Sequence, residues 1–169
     1  MKKRSGVLKS FYFAGRGIAF CLRHERHLRI HLVMTAYVMY FSTFYNFTKT
    51  DYGVLILTCA AVISMEIINT AVEVVIDKVS PKYNIFAMIG KDIAAGAVLF
   101  SAVGAIAVGI FMFWDPAAFV RIFEYFTSDF IKPLILLATL VASVLFIMHA
   151  KPRKLGHKRT DKGKEIKDD

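Results

Sequence analysis

An all-α bundle of membrane-spanning helices is the fold class predicted by three features of this sequence. Apolar residues fall in long blocks, basic residues gather at both ends of the chain, and one apolar block is interrupted by acids at helical spacing. Hydrophobic residues make up 56% of the 169 positions and mean hydropathy is +0.51, beyond what an ordinary soluble domain carries. Four blocks qualify as spans: residues 30–47, 54–79, 93–113 and 131–150. The expected organisation is an amphipathic surface helix over 1–29, a three-helix membrane core over 30–113, an extra-cytoplasmic linker with a fourth transmembrane helix over 114–150, and a basic cytoplasmic tail over 151–169.

The first element is not expected to be a cleaved signal, because no apolar core of sufficient length separates Lys2, Lys3 and Arg4 from Lys9. Residues 7–29 instead read as a helix lying on the membrane surface. Val7, Leu8, Phe11, Tyr12, Ile18, Phe20 and Leu22 interleave with Lys9, Arg16, Arg23 and Arg26, and Gly15 with Gly17 marks where a break would fall. The first span is short. Its uncharged part, from Leu32 onward, covers about 24 Å against a hydrocarbon core of about 30 Å, so tilt or snorkelling of Arg29 and His31 must close the gap.

In the second span Glu66, Asn69, Glu73 and Asp77 stand at steps of three, seven and eleven, within an arc of roughly 80° at about 100° per residue. Each ionisable group at membrane depth costs roughly 2.5 to 3.5 kcal/mol on insertion scales, so a stripe of them should face other helices rather than lipid. In the third span Ala97, Ser101, Ala105 and Gly109 repeat every four residues and offer a face for close helix approach, although an Ala/Gly-rich membrane helix reads the same way. The fourth span is expected to be a peripheral helix.

Charge fixes the expected orientation. Lys and Arg precede the first span and follow the last, while Lys49 and Arg121 are the only positive charges in the two intervening outer stretches. Both termini are therefore expected in the cytoplasm, with the 77–92 loop inside. The net charge of +9 reads as a topology and anionic-lipid signal, and no nucleic-acid partner is expected. Cys21 and Cys59 are too far apart in the layout for a disulfide. His24, His27 and His31 bring no matching Cys or His pair for zinc, so interfacial solvation is the better reading.

The acid stripe admits two interpretations. Glu66 and Glu73 are either protonated acids bonded across the bundle or partners of surface-helix arginines, or else they carry chemistry. The layout suits chemistry at two depths: hard oxygen ligands for a divalent cation near the aqueous edge, and a base about two turns deeper, at a lipid headgroup. The following loop, Ser80-Pro81-Lys82-Tyr83-Asn84, breaks the helix at proline, and Lys91-Asp92 is expected to reopen the next one, where lysine can meet phosphate. Phosphate loops of the soluble nucleotide-binding and protein-kinase kinds are absent from the sequence, which excludes those scaffolds but not ATP.

At these residues the sequence closely resembles the prokaryotic integral-membrane diacylglycerol kinase and undecaprenol kinase family. The resemblance covers roughly residues 7–113. It rests on the run from Glu66 through Asn69 and Glu73 to Asp77, on Lys91-Asp92-Ile93-Ala94-Ala95-Gly96, and on Gly17, Glu25 and Arg29-Ile30-His31 upstream. It implies a bacterial plasma-membrane lipid kinase, homotrimeric, with three core spans per subunit, sites shared between subunits, ATP as co-substrate and Mg2+ as cofactor. By position, Glu66 matches the catalytic base that deprotonates the lipid hydroxyl, and Glu25 and Glu73 match the carboxylates that hold the metal on ATP. Lys82, Tyr83, Asn84, Lys91 and Asp92 match nucleotide contacts. Asn69 matches a substrate position beside the base, Arg29 borders the lipid headgroup, and Asp77 either pairs with a lysine or touches the nucleotide. Asn84 stands where many relatives have histidine and Gly90 where alanine is common, so the adenine or ribose end is expected to be bound differently.

Two further function classes fit part of the sequence. An ion-coupled transporter also uses membrane carboxylates but usually shows internal repeats or broken helices. A noncatalytic adaptor explains the basic termini but gives no reason for Glu25, Glu66, Glu73 and Lys91 together. As acceptor, undecaprenol is favoured over diacylglycerol by the flavour of Arg29-Ile30-His31 and Asn69-Thr70-Ala71.

Overall fold

A computed structural model describes residues 6–80, 82 and 84–150, and among them all regular structure is helical. The helices are α1 (Gly6–His24), α2 (Arg26–Ser42), α3 (Lys49–Val79), α4 (Ile85–Phe113), α5 (Pro116–Thr127) and α6 (Ile131–Met148). The N-terminal lysines and arginine, Tyr83 and the basic tail lie outside the described residues.

Three helices are long and apolar enough to cross a membrane: α3, α4 and α6. The helix of the expected first span, α2, has 17 residues and carries Arg26, His27, Arg29 and His31 at its start. That is a length of about 26 Å, with cations in the first two turns. The long helices turn apolar surface outward: α4 and α6 bury no residue at all. In water such faces would aggregate, but lipid covers them at no cost.

The interior is instead organised around α3. It packs most extensively on α4, then on α2, and α1 rests against α2 and α3, while α6 leans on α2 and α5. Leu55, Val62, Glu66 and Thr70 are its buried residues, at steps of seven, four and four. This is the stripe on which the acids sit, and it faces inward as the cost of membrane carboxylates requires. At the close crossing of α3 and α4, a Cβ added to Gly90 would lie 3.2 Å from the Ile76 Cδ1. Of the four-residue repeat on α4, Ala105 and Gly109 line a cavity of about 360 Å³ between α2, α3 and α4, whereas Ala97 is exposed.

Three local expectations are corrected. The surface helix does not break at Gly15 or Gly17; it runs unbroken to His24 and the chain turns at Glu25, in extended conformation. Nothing lies within 4 Å of a Cβ built at either glycine, so the helix carries through them on local propensity, at a cost of about 1 kcal/mol each. Lys91-Asp92 does not open α4, which begins at Ile85 because the Asn84 side chain accepts the Phe86 N–H at 2.9 Å. The stretch after residue 113 is not a plain linker, for it contains α5, started by Asp115 and Pro116 as cap and first residue.

The end of the bundle remote from Glu25 is closed by its own groups. Thr48 and Asp51 form a capping box, with Thr48 N–H donating to Asp51 Oδ2 at 2.7 Å. The Tyr45 hydroxyl donates to the Phe113 carbonyl at 3.1 Å, and Arg121 donates to the Phe44 carbonyl at 2.8 Å and to Asp115 at 3.2 Å. Phe44 and Tyr125 meet edge to face with centroids 5.0 Å apart.

Candidate active site

The inward stripe of α3 meets the α1–α2 turn at one point. Glu66 is 3% exposed, and its Oε1 lies 3.8 Å from the Nδ1 of His27, in the first turn of α2. That distance is contact without a hydrogen bond. Thr70 packs one turn along, 2% exposed, its hydroxyl donating to the Glu66 carbonyl at 3.0 Å. A threonine that bonds back to its own helix needs no partner elsewhere, so it fills space beside the acid at no polar cost.

Glu25, His27 and Glu73 all act electrostatically on Glu66. The turn at Glu25 and the α3 face that repeats at three and four residues thus set Glu25 and Glu73 within electrostatic range of Glu66. Asn69 sits between them and donates its amide N–H to Glu73 Oε1 at 3.3 Å, while its Oδ1 is buried without a hydrogen-bond partner. An orphaned buried carbonyl costs on the order of 1 to 3 kcal/mol, and such groups mark places where a donor or a cation is to be supplied. Among the described residues no group of three or more His, Cys, Asp or Glu is arranged to enclose a metal ion.

One turn nearer the α3 end, Lys91 reaches across from α4 and donates to Asp77. Of the two roles expected for Asp77, this is the pairing with a lysine. Both side chains stay about one third exposed, at 38% and 30%. Lys82, Asn84 and Asp92 are exposed along the same edge, with Asn84 occupied as the cap of α4. Arg29 does not border this edge: its guanidinium is buried among main-chain carbonyls of α1 and α6.

Glu66 therefore lies against His27 and within electrostatic range of Glu25 and Glu73, Asn69 bonds to Glu73, Asp77 with Lys91 lies along the same stripe, and Arg29 stands apart. His27 is the residue that sequence reading missed. Its signal was present in its place two residues after Glu25, but three histidines at loose spacing on a basic surface helix look like solvated charge.

A model of the prokaryotic diacylglycerol kinase family matches residues 12–113. The chain belongs to this family. It is similar to a diacylglycerol kinase of Synechocystis, 36% identical over 104 residues that make up 61% of this chain and 59% of the relative. It is also similar to an undecaprenol kinase of Bacillus subtilis, 32% identical over 105 residues that make up 62% of this chain and 85% of the relative. The chain thus spans about three fifths of the length of the first relative and most of the second. No solved structure matches it. The family match ends where α4 ends, so α5 and α6 lie outside it, while every expected site residue lies within.

Proposed function

We propose that this member of the prokaryotic diacylglycerol kinase family is an ATP-dependent lipid kinase that phosphorylates the primary hydroxyl of a membrane lipid, with undecaprenol the favoured acceptor. The observation that carries the reading is the buried carboxylate of Glu66, placed against His27 with Asn69 and Glu73 one and two turns along the same face. A buried acid at membrane depth has no use for stability alone that a leucine would not serve better.

In the proposed reaction Glu66 takes the proton from the lipid hydroxyl. The hydroxyl oxygen then forms a bond to the γ-phosphorus of ATP as the bond from phosphorus to the β–γ bridging oxygen breaks, releasing ADP. Phosphoryl transfer asks chiefly for alignment and charge neutralisation, so few groups suffice. Asn69 orients the acceptor or a phosphate oxygen. Lys91 offers its ammonium to the triphosphate, and Lys82, Tyr83, Asn84 and Asp92 border the nucleotide.

The chemistry of the donors suits Mg2+: Glu25 and Glu73 would supply carboxylate oxygen, and the buried Asn69 Oδ1, without a hydrogen-bond partner, would offer a further hard oxygen. They are too few to cage an ion, as expected for a cation that keeps water and phosphate oxygens around it. When bound, it would neutralise charge on the triphosphate. Glu25 and Glu73 would hold it.

For topology we infer four crossings with both termini cytoplasmic, α2 being the short one, tilted, with Arg29 satisfied by carbonyls of α1 and α6. The subunit is expected to work as a homotrimer in an anionic bacterial plasma membrane. Diacylglycerol is the second acceptor, favoured by the higher identity to the Synechocystis relative. Undecaprenol is favoured by the greater share of the Bacillus relative that is covered. Purified protein given labelled ATP, magnesium and both lipids in competition should label one lipid phosphate well above the other. Absence of any labelled lipid would overturn the proposal, and proton- or sodium-coupled solute uptake in vesicles would favour the transporter class instead.

A further inference from the structure

We propose that Arg29 is a positioning residue, through which α6 holds the α1–α2 turn that carries Glu25 and His27 to Glu66. Arg29 is 8% exposed, and a buried guanidinium needs its donors met. It is met by backbone. Nε donates to the Leu22 carbonyl at 2.7 Å, one terminal nitrogen to the Arg23 carbonyl at 3.5 Å, and the other to the Phe146 carbonyl. The Phe146 ring lies 4.7 Å from its Cζ.

All three acceptors stand in the last turn of a helix, where carbonyls lack intrahelical partners. One cation therefore closes the C-terminal ends of α1 and α6 together, where both helix dipoles favour positive charge. Only residues 24–28 lie between the α1 acceptors and Arg29, and they hold Glu25 and His27. Leu28, 1% exposed, anchors the far side. The turn is pinned at both ends, and one of the pins belongs to α6, outside the family match. A second set of contacts holds α6 in place: the Tyr37 hydroxyl lies 3.2 Å from both Thr139 Oγ1 and Ser143 Oγ.

The test uses the full chain in detergent, with Phe146→Ala, which keeps the acceptor carbonyl, and Arg29→Lys, which cannot span three carbonyls. Hydrogen–deuterium exchange should rise in peptides over residues 20–30 and stay unchanged in α4. With MgATP and undecaprenol, KM for MgATP should rise roughly three- to tenfold, with kcat moving less, as loss of a partly buried cation–π contact would give. Unchanged exchange at 20–30 in both variants overturns the proposal, as does an equal rise across α3 and α4. The kinetic arm rests on the kinase reading; local exchange with no turnover in the unaltered protein would sink that reading and leave the role of Arg29 standing.

Discussion

The two ends of the bundle spend their polar groups differently. At the end holding Thr48, Asp115 and Arg121, donors and acceptors close on one another: a capping box, a tyrosine on a carbonyl, an arginine shared between a carbonyl and a carboxylate. At the Glu66 end, a buried carboxylate stands within the field of two others, a buried amide oxygen has no hydrogen-bond partner, and Lys82 and Asp92 are exposed. The first arrangement lowers the energy of the fold. The second raises it unless something binds, which is the mark of a site rather than a brace.

The largest effect expected from this contrast is at Glu66. Glu66→Gln keeps shape and removes the base, so kcat should fall by about 10² to 10⁴ while MgATP binding, followed by calorimetry, is retained. The opposite pattern, weakened MgATP binding with kcat at saturation intact, would move Glu66 from base to ligand. Next comes the edge of the stripe. Lys91→Ala should raise KM for ATP by roughly tenfold through loss of one charge-assisted contact, and Asp77→Asn should raise it less, because that change frees the ammonium while unfixing it.

The braced end should respond in stability and not in chemistry. Arg121→Ala leaves the Phe44 carbonyl without its donor, and the partial exposure of the side chain limits the cost to about 1 kcal/mol. Thermal unfolding in detergent should show that loss, with KM and kcat at a permissive temperature unmoved. A change in KM for ATP would mean that the two ends communicate.

The same contrast explains what the sequence made legible. Periodicity is local information, so the inward stripe of α3, the helical class and the apolar spans could be read directly from Glu66, Asn69, Glu73, Asp77 and the blocks around them. Whatever depended on a partner distant in sequence could not. Arg29 looked like a headgroup contact because nothing nearby says that Phe146 lies over it, 117 positions on. The turn at Glu25 was hidden for a related reason: the glycines at 15 and 17 are the local breakers, yet α1 runs whole through them with nothing packed against either, and the chain bends instead at an acid, beside the buried Leu28 and Arg29. Asn84 was legible as a residue of the loop but not as the cap of α4, since nothing before Ile85 marks where the helix begins.

The smallest expected effect tests how tightly the site edge is packed. Gly90 precedes Lys91 on α4, and a methyl group there would meet Ile76 Cδ1 at 3.2 Å, on the residue before Asp77. Gly90→Ala gains up to about 1 kcal/mol of helix propensity, offset by the few tenths of an ångström that the isoleucine tip must yield. Because that tip is the flexible end of a side chain, the net change should be a small stabilisation. Adding Ile76→Val removes the opposing methyl, which costs about 0.5 to 1.5 kcal/mol alone but relieves the contact, so the pair should be less destabilised than the sum of the singles. A strictly additive result would show that α3 and α4 part slightly to accept the methyl. The Lys91–Asp77 pair would then lengthen, and KM for ATP in Gly90→Ala alone should shift in the direction seen for Asp77→Asn.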